Sequence, residues 1–348
     1  MSSTHRAKVA LQITAASMLV LSCSSESGSV LPLSVVDTTE LAADAALPVD
    51  DSRGEDTIRL RDAGRALRDG GVVPVIPAPG EQSSPSDVVF GGERPATLQV
   101  PTSYDPATPI PLLLILHGYS RKPAYVIPVF QMESFHEDLG VLTIAPQGLQ
   151  NPMGAHYWNG SPACCDSWGS GVDDVAYLSA LIESIQSKYN VDSRRIYAIG
   201  HSNGAFMAHT LACERPDLLA GIVSVAGAAN PSCIPKGPVS VVHAHATGDD
   251  IVWYNGGMLN GAVYPGAEAT VAYWAEANGC SPESEVVGSL DFNYFAPGAE
   301  SMISRHLGCP EGGSVELWTE PDGPHTPRLP VDFYFKWWEW MSAHSKPE

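Results

Sequence analysis

Residues 194–214 read RRIYAI-GHSNG-AFMAHTLACE, a strand-like run that passes through Gly200-His201-Ser202-Asn203-Gly204 directly into a helical pattern. A strand-to-helix turn this tight forces its central residue into a strained backbone conformation and pushes the Ser202 hydroxyl out at the top of a sheet. The flanking glycines let strand and helix approach. The pentapeptide G-x-S-x-G is weak by itself, but this one, the only copy in the chain, stands in the context that gives it meaning. An unaided serine hydroxyl is a poor nucleophile, so a base and an orienting acid must accompany it.

Working outward, the chain after Ser86 alternates short apolar runs with helical patterns. Strands are expected at 96–100, 112–116, 141–145, 195–199, 221–225, 239–243 and 315–318, and helices at 175–189, 204–214, 267–277 and 331–343. The near-continuous apolar character of LLLIL and IVSV fits strands buried on both faces. This is the pattern of an α/β class, specifically an α/β-hydrolase fold with a mostly parallel sheet flanked by helices on both faces. Ligands in such sheets bind at the carboxyl ends of the strands.

In this fold the order along the chain is nucleophile, acid, base. His325, in the loop after VELW and before the last helix, stands where the base is expected; His243 and His245 lie on or just after a strand and read as core or supporting residues, and His306 lies near Cys309. The strand VSVVHAHA ends at Thr247-Gly248-Asp249-Asp250, which offers Asp249 and Asp250 as the acid. Asp173 and Asp174 read instead as the start of a helix, where carboxylates cap free amides. Two amides must face the developing oxyanion. The N–H of Asn203 follows the nucleophile, and Tyr119 N–H lies in the His117-Gly118-Tyr119 loop after LLLIL.

The 348 residues carry a net charge of −20, which argues against a nucleic-acid partner. Arg6 and Lys8 precede an apolar run over 9–21 that ends in Ser22-Cys23, which reads as an export signal. Val20-Leu21-Ser22-Cys23 resembles a bacterial lipobox, so Cys23 is the expected lipidation site and a lipid anchor at a membrane the expected partner. The expected domains are therefore a signal over 1–23, an acidic flexible linker over 24–86, and a catalytic domain over 87–348. A short amphipathic helix could form over 57–69. Six cysteines remain, Cys164, Cys165, Cys213, Cys233, Cys280 and Cys309; in an exported protein they suggest disulfides, whose connectivity spacing alone leaves open. None has zinc spacing, and no metal or cofactor is expected.

The segments LLLILHGYS, APQG, YWNG followed by Cys164-Cys165, GVDDVAYL, GHSNGAFMA, HATGDDIVWYNGG and EANGC together resemble the exported polyhydroxybutyrate depolymerase-like esterases, grouped with feruloyl and acetylxylan esterases. The likeness runs over about residues 88–343. It implies that Asp249 is the acid, since the family's H-G-T-x-D segment matches 245–249. It also implies that Cys280 pairs with Cys309, and that Cys164 and Cys165 bond to Cys213 and Cys233 in some order. Two positions depart from the family: Pro327 stands where a Trp often follows the base, and Trp253 replaces a Pro beside the acid. Tyr157, Trp158 and Trp253 are candidate substrate-binding aromatics. The late aromatic cluster Phe333, Tyr334, Phe335, Trp337, Trp338 and Trp340 has helical spacing and reads as core packing.

These readings converge on an exported, monomeric serine ester hydrolase acting on polyhydroxyalkanoate-type polyester or on feruloyl or acetyl esters of polysaccharides. The rivals are a surface acyltransferase of the same fold, a peptidase, and a non-catalytic surface binding lipoprotein.

Overall fold

The computed structural model describes residues 88–348. The signal over 1–23 with Cys23, the linker over 24–86 and the amphipathic segment over 57–69 lie outside the described residues.

In chain order the elements are β1 Val88–Phe90, β2 Ala96–Gln99, β3 Ile110–Leu116, α1 Pro123–Val129, α2 Phe135–Leu139, β4 Leu142–Ile144, β5 Leu149–Gln150, β6 His156–Tyr157, α3 Asp174–Gln186 and β7 Val191–His201. They continue with α4 Asn203–Glu214, β8 Gly221–Val225, β9 Ser240–Ala246, β10 Gly256–Leu259, β11 Ala262–Pro265, α5 Ala267–Asn278, β12 Ser284–Leu290, β13 Ser301–His306, β14 Val315–Glu320 and α6 Tyr334–Ser342.

Ten strands form one sheet in the order β1-β2-β4-β3-β7-β8-β9-β14-β13-β12. The run from β4 to β14 is parallel throughout. At one edge β2 pairs antiparallel with β4 and β1 antiparallel with β2, so β1 points the same way as the parallel core. The other edge is closed by the antiparallel strands β13 and β12.

Alternation along β3 explains how the sheet is covered. Leu112, Leu114 and Leu116 join the core beneath α3, α4 and α5, with Leu178, Ile182, Leu211 and Trp274. Leu113 and Ile115 join the opposite core with Phe130, Phe135, Trp337 and Met341, from α1, α2 and α6 and the turns beside them. Side chains of successive strand residues point to opposite faces, so an unbroken leucine run serves both layers. The aromatic cluster of α6 is core: Trp337 is fully buried and stacks on Trp318 at 5.3 Å, while Phe335 alone stays about half exposed.

Successive connections from β3 run to opposite sides, to β4 on one and to β7 on the other. The crevice outside the carboxyl ends of β3 and β7 is therefore the switch point at which doubly wound sheets take ligands.

The cysteines pair as Cys280–Cys309, Cys213–Cys233 and Cys164–Cys165. The first agrees with the resemblance; the cross-pairing expected for the other four is corrected. Cys164 lies against Asn203, the first residue of α4, whereas Cys213 stands near that helix's far end. Ten helical residues separate the two ends by about 15 Å, roughly twice what a disulfide can bridge.

Candidate active site

Ser202 has φ +55° and ψ −121°, a conformation rarely adopted by a residue with a side chain. Its N–H donates to Val225 O at 2.8 Å, and its carbonyl accepts from Ala205 N–H at 2.8 Å and Phe206 N–H at 3.1 Å. The turn is therefore tied to β8 on one side and to α4 on the other. The two glycines of the motif are required by contact. A Cβ on Gly200 would sit 2.2 Å from Gly204 O, and a Cβ on Gly204 would sit 2.2 Å from Leu116 O. Strand and helix thus touch backbone to backbone, and β3 lies directly behind them.

The loop after β3 comes up to the nucleophile. A Cβ on Gly118 would lie 3.3 Å from His201 Nδ1 and 3.4 Å from Ser202 Cβ, so this loop runs in close contact with the nucleophile. His117 anchors the loop from below: its Nε2 accepts from Gly148 N–H at 3.0 Å and its Nδ1–H donates to Gly118 O at 2.8 Å. Burial lowers its pKa to about 4, which keeps the ring neutral for both roles. Tyr119 N–H has no acceptor among the described residues, and Asn203 N–H opens α4, where the first amides lack intrahelical partners. Asn203 N–H directly follows the serine, and Tyr119 N–H follows Gly118, the loop residue nearest to it. The Tyr119 hydroxyl is held by Asn151 Nδ2–H at 2.8 Å.

His325 Nδ1–H donates to Asp249 Oδ2 at 2.8 Å, which leaves Nε2 as the basic nitrogen. Asp249 is 5% exposed, whereas Asp250 is exposed. Asp249 Oδ1 accepts from Ile251 N–H and Val252 N–H, both at 2.9 Å. Burial pushes the Asp249 carboxyl pKa up, but the hydrogen bonds from His245 and His325 outweigh it and hold the group well below the usual carboxylate range.

His201 couples the base to the nucleophile's own strand. Its Nε2–H donates to His325 O at 3.0 Å, and the two rings lie 4.9 Å apart. Burial, followed by the neighbouring His325, lowers its pKa to about 4. Sequence reasoning missed His201 and His117 as supports, because a buried, hydrogen-bonded histidine has no periodic signature.

Of the three candidate substrate aromatics, Trp253 is 59% exposed and stands four residues beyond Asp249 on the approach to the β10–β11 hairpin. Tyr157 and Trp158 are corrected. They are 2% and 0% exposed, and the Trp158 indole N–H is spent on His117 O at 3.0 Å. Trp158 serves as scaffold: the Asn203 side chain accepts from its N–H at 2.7 Å and donates to its carbonyl at 2.9 Å. The same Asn203 Nδ2 reaches Cys164 Sγ at 3.4 Å. One asparagine thus ties the start of α4 to the loop closed by the vicinal disulfide. Asp173 caps α3 by accepting from Ala176 N–H at 2.8 Å, and Asp174 is buried against Arg94 at 2.5 Å, as expected of a helix start rather than a reacting group. A cavity of about 760 Å³ between β12–β14 and α6 shares no residue with this constellation.

Comparison with known proteins finds relatives of this chain by sequence and by fold. A family model with the description "Putative esterase" matches residues 88–284. Feruloyl esterase B of Piromyces equi is 31% identical over 204 residues, which is 53% of this chain and 34% of that protein. A poly(3-hydroxybutyrate) depolymerase of Ralstonia pickettii is 29% identical over 161 residues, 42% of this chain and 32% of that protein. The chain thus spans about a third of the length of each of these two relatives. Among solved structures, the acetyl xylan esterase from Aspergillus awamori superposes with a TM-score of 0.51 at 15% identity, covering 74% of this chain and 98% of that one. That likeness is one of fold.

Proposed function

Since the chain belongs to the esterase family whose model covers residues 88–284, we propose that it is a serine carboxylic-ester hydrolase working through Ser202, His325 and Asp249. The observation that carries the reading is the joint placement of a serine at φ +55° on a strand-to-helix turn and a histidine bonded through Nδ1 to a buried carboxylate, with His201 linking the two.

In this reading His325 Nε2 takes the Ser202 proton as Oγ attacks the ester carbonyl carbon. The oxyanion accepts hydrogen bonds from Tyr119 N–H and Asn203 N–H. The C–O bond to the alcohol breaks, His325 returns the proton to the departing oxygen, and an acyl-serine remains. Water, deprotonated by His325, then releases the acid. The Asp249 carboxylate stays ionised throughout and supports the imidazolium.

Substrates of two kinds fit the relatives' descriptions: feruloyl or acetyl esters on polysaccharide, and polyhydroxyalkanoate-type polyester. Trp253 offers an exposed aromatic face beside the acid for either chain. Export is supported by three disulfides among the described residues, since such bonds persist in oxidising compartments. The lipid anchor at Cys23 belongs to the same proposal.

The test is hydrolysis of p-nitrophenyl acetate and butyrate by the full chain, followed by feruloylated and acetylated xylan beside polyhydroxybutyrate. Ser202→Ala is expected to lower kcat by about 10⁶. A variant as active as the wild type would sink the mechanism. Trp253→Ala is expected to raise KM for the polymeric substrate about tenfold with kcat little changed, the mark of lost binding rather than lost chemistry. An unchanged KM would remove Trp253 from the substrate path. Added alcohol captured as a new ester would reveal acyl transfer in place of hydrolysis.

A further inference from the structure

Behind Asp249 lies a row of buried polar side chains that hydrolysis by Ser202, His325 and Asp249 does not itself use. His243 and His245 lie on β9, two residues apart and therefore on one face, and both are buried. Ser224 on β8 stands in register with His243. Ser224 Oγ lies 3.1 Å from His243 Nδ1, His243 Nε2 lies 3.1 Å from His245 Nδ1, and His245 Nε2 lies 2.7 Å from Val252 O and 3.2 Å from Asp249 Oδ2.

The proton positions follow from one fixed point. A carbonyl oxygen only accepts, so His245 Nε2 carries the hydrogen and shares it between Val252 O and Asp249 Oδ2. In the neutral ring His245 Nδ1 is then bare and accepts from His243 Nε2–H. His243 Nδ1 is bare in turn and accepts from the Ser224 hydroxyl. The row has a single direction, and it ends on the carboxylate. There the accounting closes as well: Oδ1 is filled by the amides of Ile251 and Val252, and Oδ2 by His325 and His245.

We propose that His245 is a positioning residue for the reacting pair, holding the Asp249 carboxylate in the one rotation that turns Oδ2 to His325 Nδ1, with Ser224 and His243 fixing the tautomer in which it does so. The proposal rests on the reading of Ser202, His325 and Asp249 as ester-hydrolysing machinery. Burying two imidazoles in a strand core is costly unless each nitrogen is satisfied, and apolar residues would fill the same space at less cost. What the row provides that leucines would not is a donor aimed at the carboxylate. The groups facing His245 are few: Asp249 and Val252 O from the turn, His243 on its own strand, the Tyr254 ring at 5.7 Å, and Thr319 across the ladder on β14. Tyr254 OH and Thr319 Oγ1 are 3.3 Å apart and bond each other, so neither competes for Asp249.

Three variants of the full chain test this: His245→Phe, which keeps a flat buried ring without nitrogen; His245→Gln, which keeps an N–H donor; and Ser224→Ala, a nearly isosteric loss of the first hydroxyl. In His245→Phe kcat is expected to fall about 100-fold, the scale of a misplaced reacting group, with KM unchanged. The acid limb of kcat/KM should move to lower pH, because the His325 imidazolium loses its fixed anionic partner. His245→Gln should recover most of both, and Ser224→Ala should lose about fivefold, the worth of one neutral buried hydrogen bond. The far-downfield proton resonance of His325 Nδ1–H should weaken in His245→Phe and return in His245→Gln, a readout that needs no turnover. Wild-type kcat, acid limb and resonance in His245→Phe would overturn the proposal. So would equal losses in the Phe and Gln variants tracking a lowered Tm, which would make His245 a packing residue only. If His245→Phe does not fold, the Gln and Ser224→Ala arms decide by the same pH profile and resonance. A wild-type protein inactive on every ester fails the proposed function instead, and the resonance then judges the positioning role alone.

Discussion

Glu320 closes β14 five residues before His325, and its carboxyl is buried. One oxygen accepts from Asn293 Nδ2–H at 2.8 Å, and the other has no partner among the described residues. Burial, opposed by Asn293 and reinforced by the Glu300 charge, pushes its pKa up from 4.5 to about 7. The folded protein therefore holds this proton more tightly than the unfolded chain does. Its contribution is fully present below pH 4.5 and is lost as pH rises through about 7, at a cost of up to about 3 kcal/mol. Urea unfolding at pH 5 and pH 8 should show that loss in the wild type, and Glu320→Gln should flatten it. Equal slopes in both proteins would remove Glu320 from the account. At this scale the sequence is readable where a residue stands at a strand's carboxyl end, as Ser202, Asp249 and His325 do. His117, His201 and Glu320 are not readable, because their meaning lies in partners on other strands or loops.

Among the elements, β3, β7, α4 and β9 are visible in the sequence because both faces of the sheet are covered, so each carries a largely apolar run. The edge strand β12 is exposed at every residue but the last, so no alternation announces it. The β10–β11 hairpin is four residues a side and joined through Asn260 and Gly261 at φ +48° and +78°, a turn signal with little apolar pattern beside it. Helix α1 carries Pro128 inside a span of seven residues, which argues against a helix when read from sequence alone. The cross-pairing that the family resemblance implies for four cysteines fails for a related reason: no local pattern says that Cys164 lies at one end of α4 and Cys213 near the other. The Cys280–Cys309 bond ties the end of α5 to the end of β13 across 29 residues. Replacing both cysteines with serine is expected to cost about 3.5 kcal/mol on loop-closure grounds, seen as a lower urea midpoint with kcat retained. Unchanged stability would mean that the edge is held by its ladder alone.

For the molecule as a whole, the antiparallel turn-back of β2 matters beyond completing the sheet. Because β2 turns back, β1 runs parallel to β3 and β7 as the outermost strand of that edge, and the ladders set Val88 level with Leu114 and Ala198; the described chain therefore begins at the lateral edge of the sheet, four strand spacings or about 19 Å to the side of the strand that leads to Ser202. Protein immobilised on beads through its N-terminus should therefore retain most of its activity on insoluble polymer. Coupling through Lys122, an exposed residue three beyond Tyr119, should block polymer hydrolysis and spare small soluble esters. Equal losses from both attachments would contradict this placement. The place of one three-residue strand thus decides how the enzyme stands when something grips its leading edge: shoulder to the support, with its mouth left clear at the side.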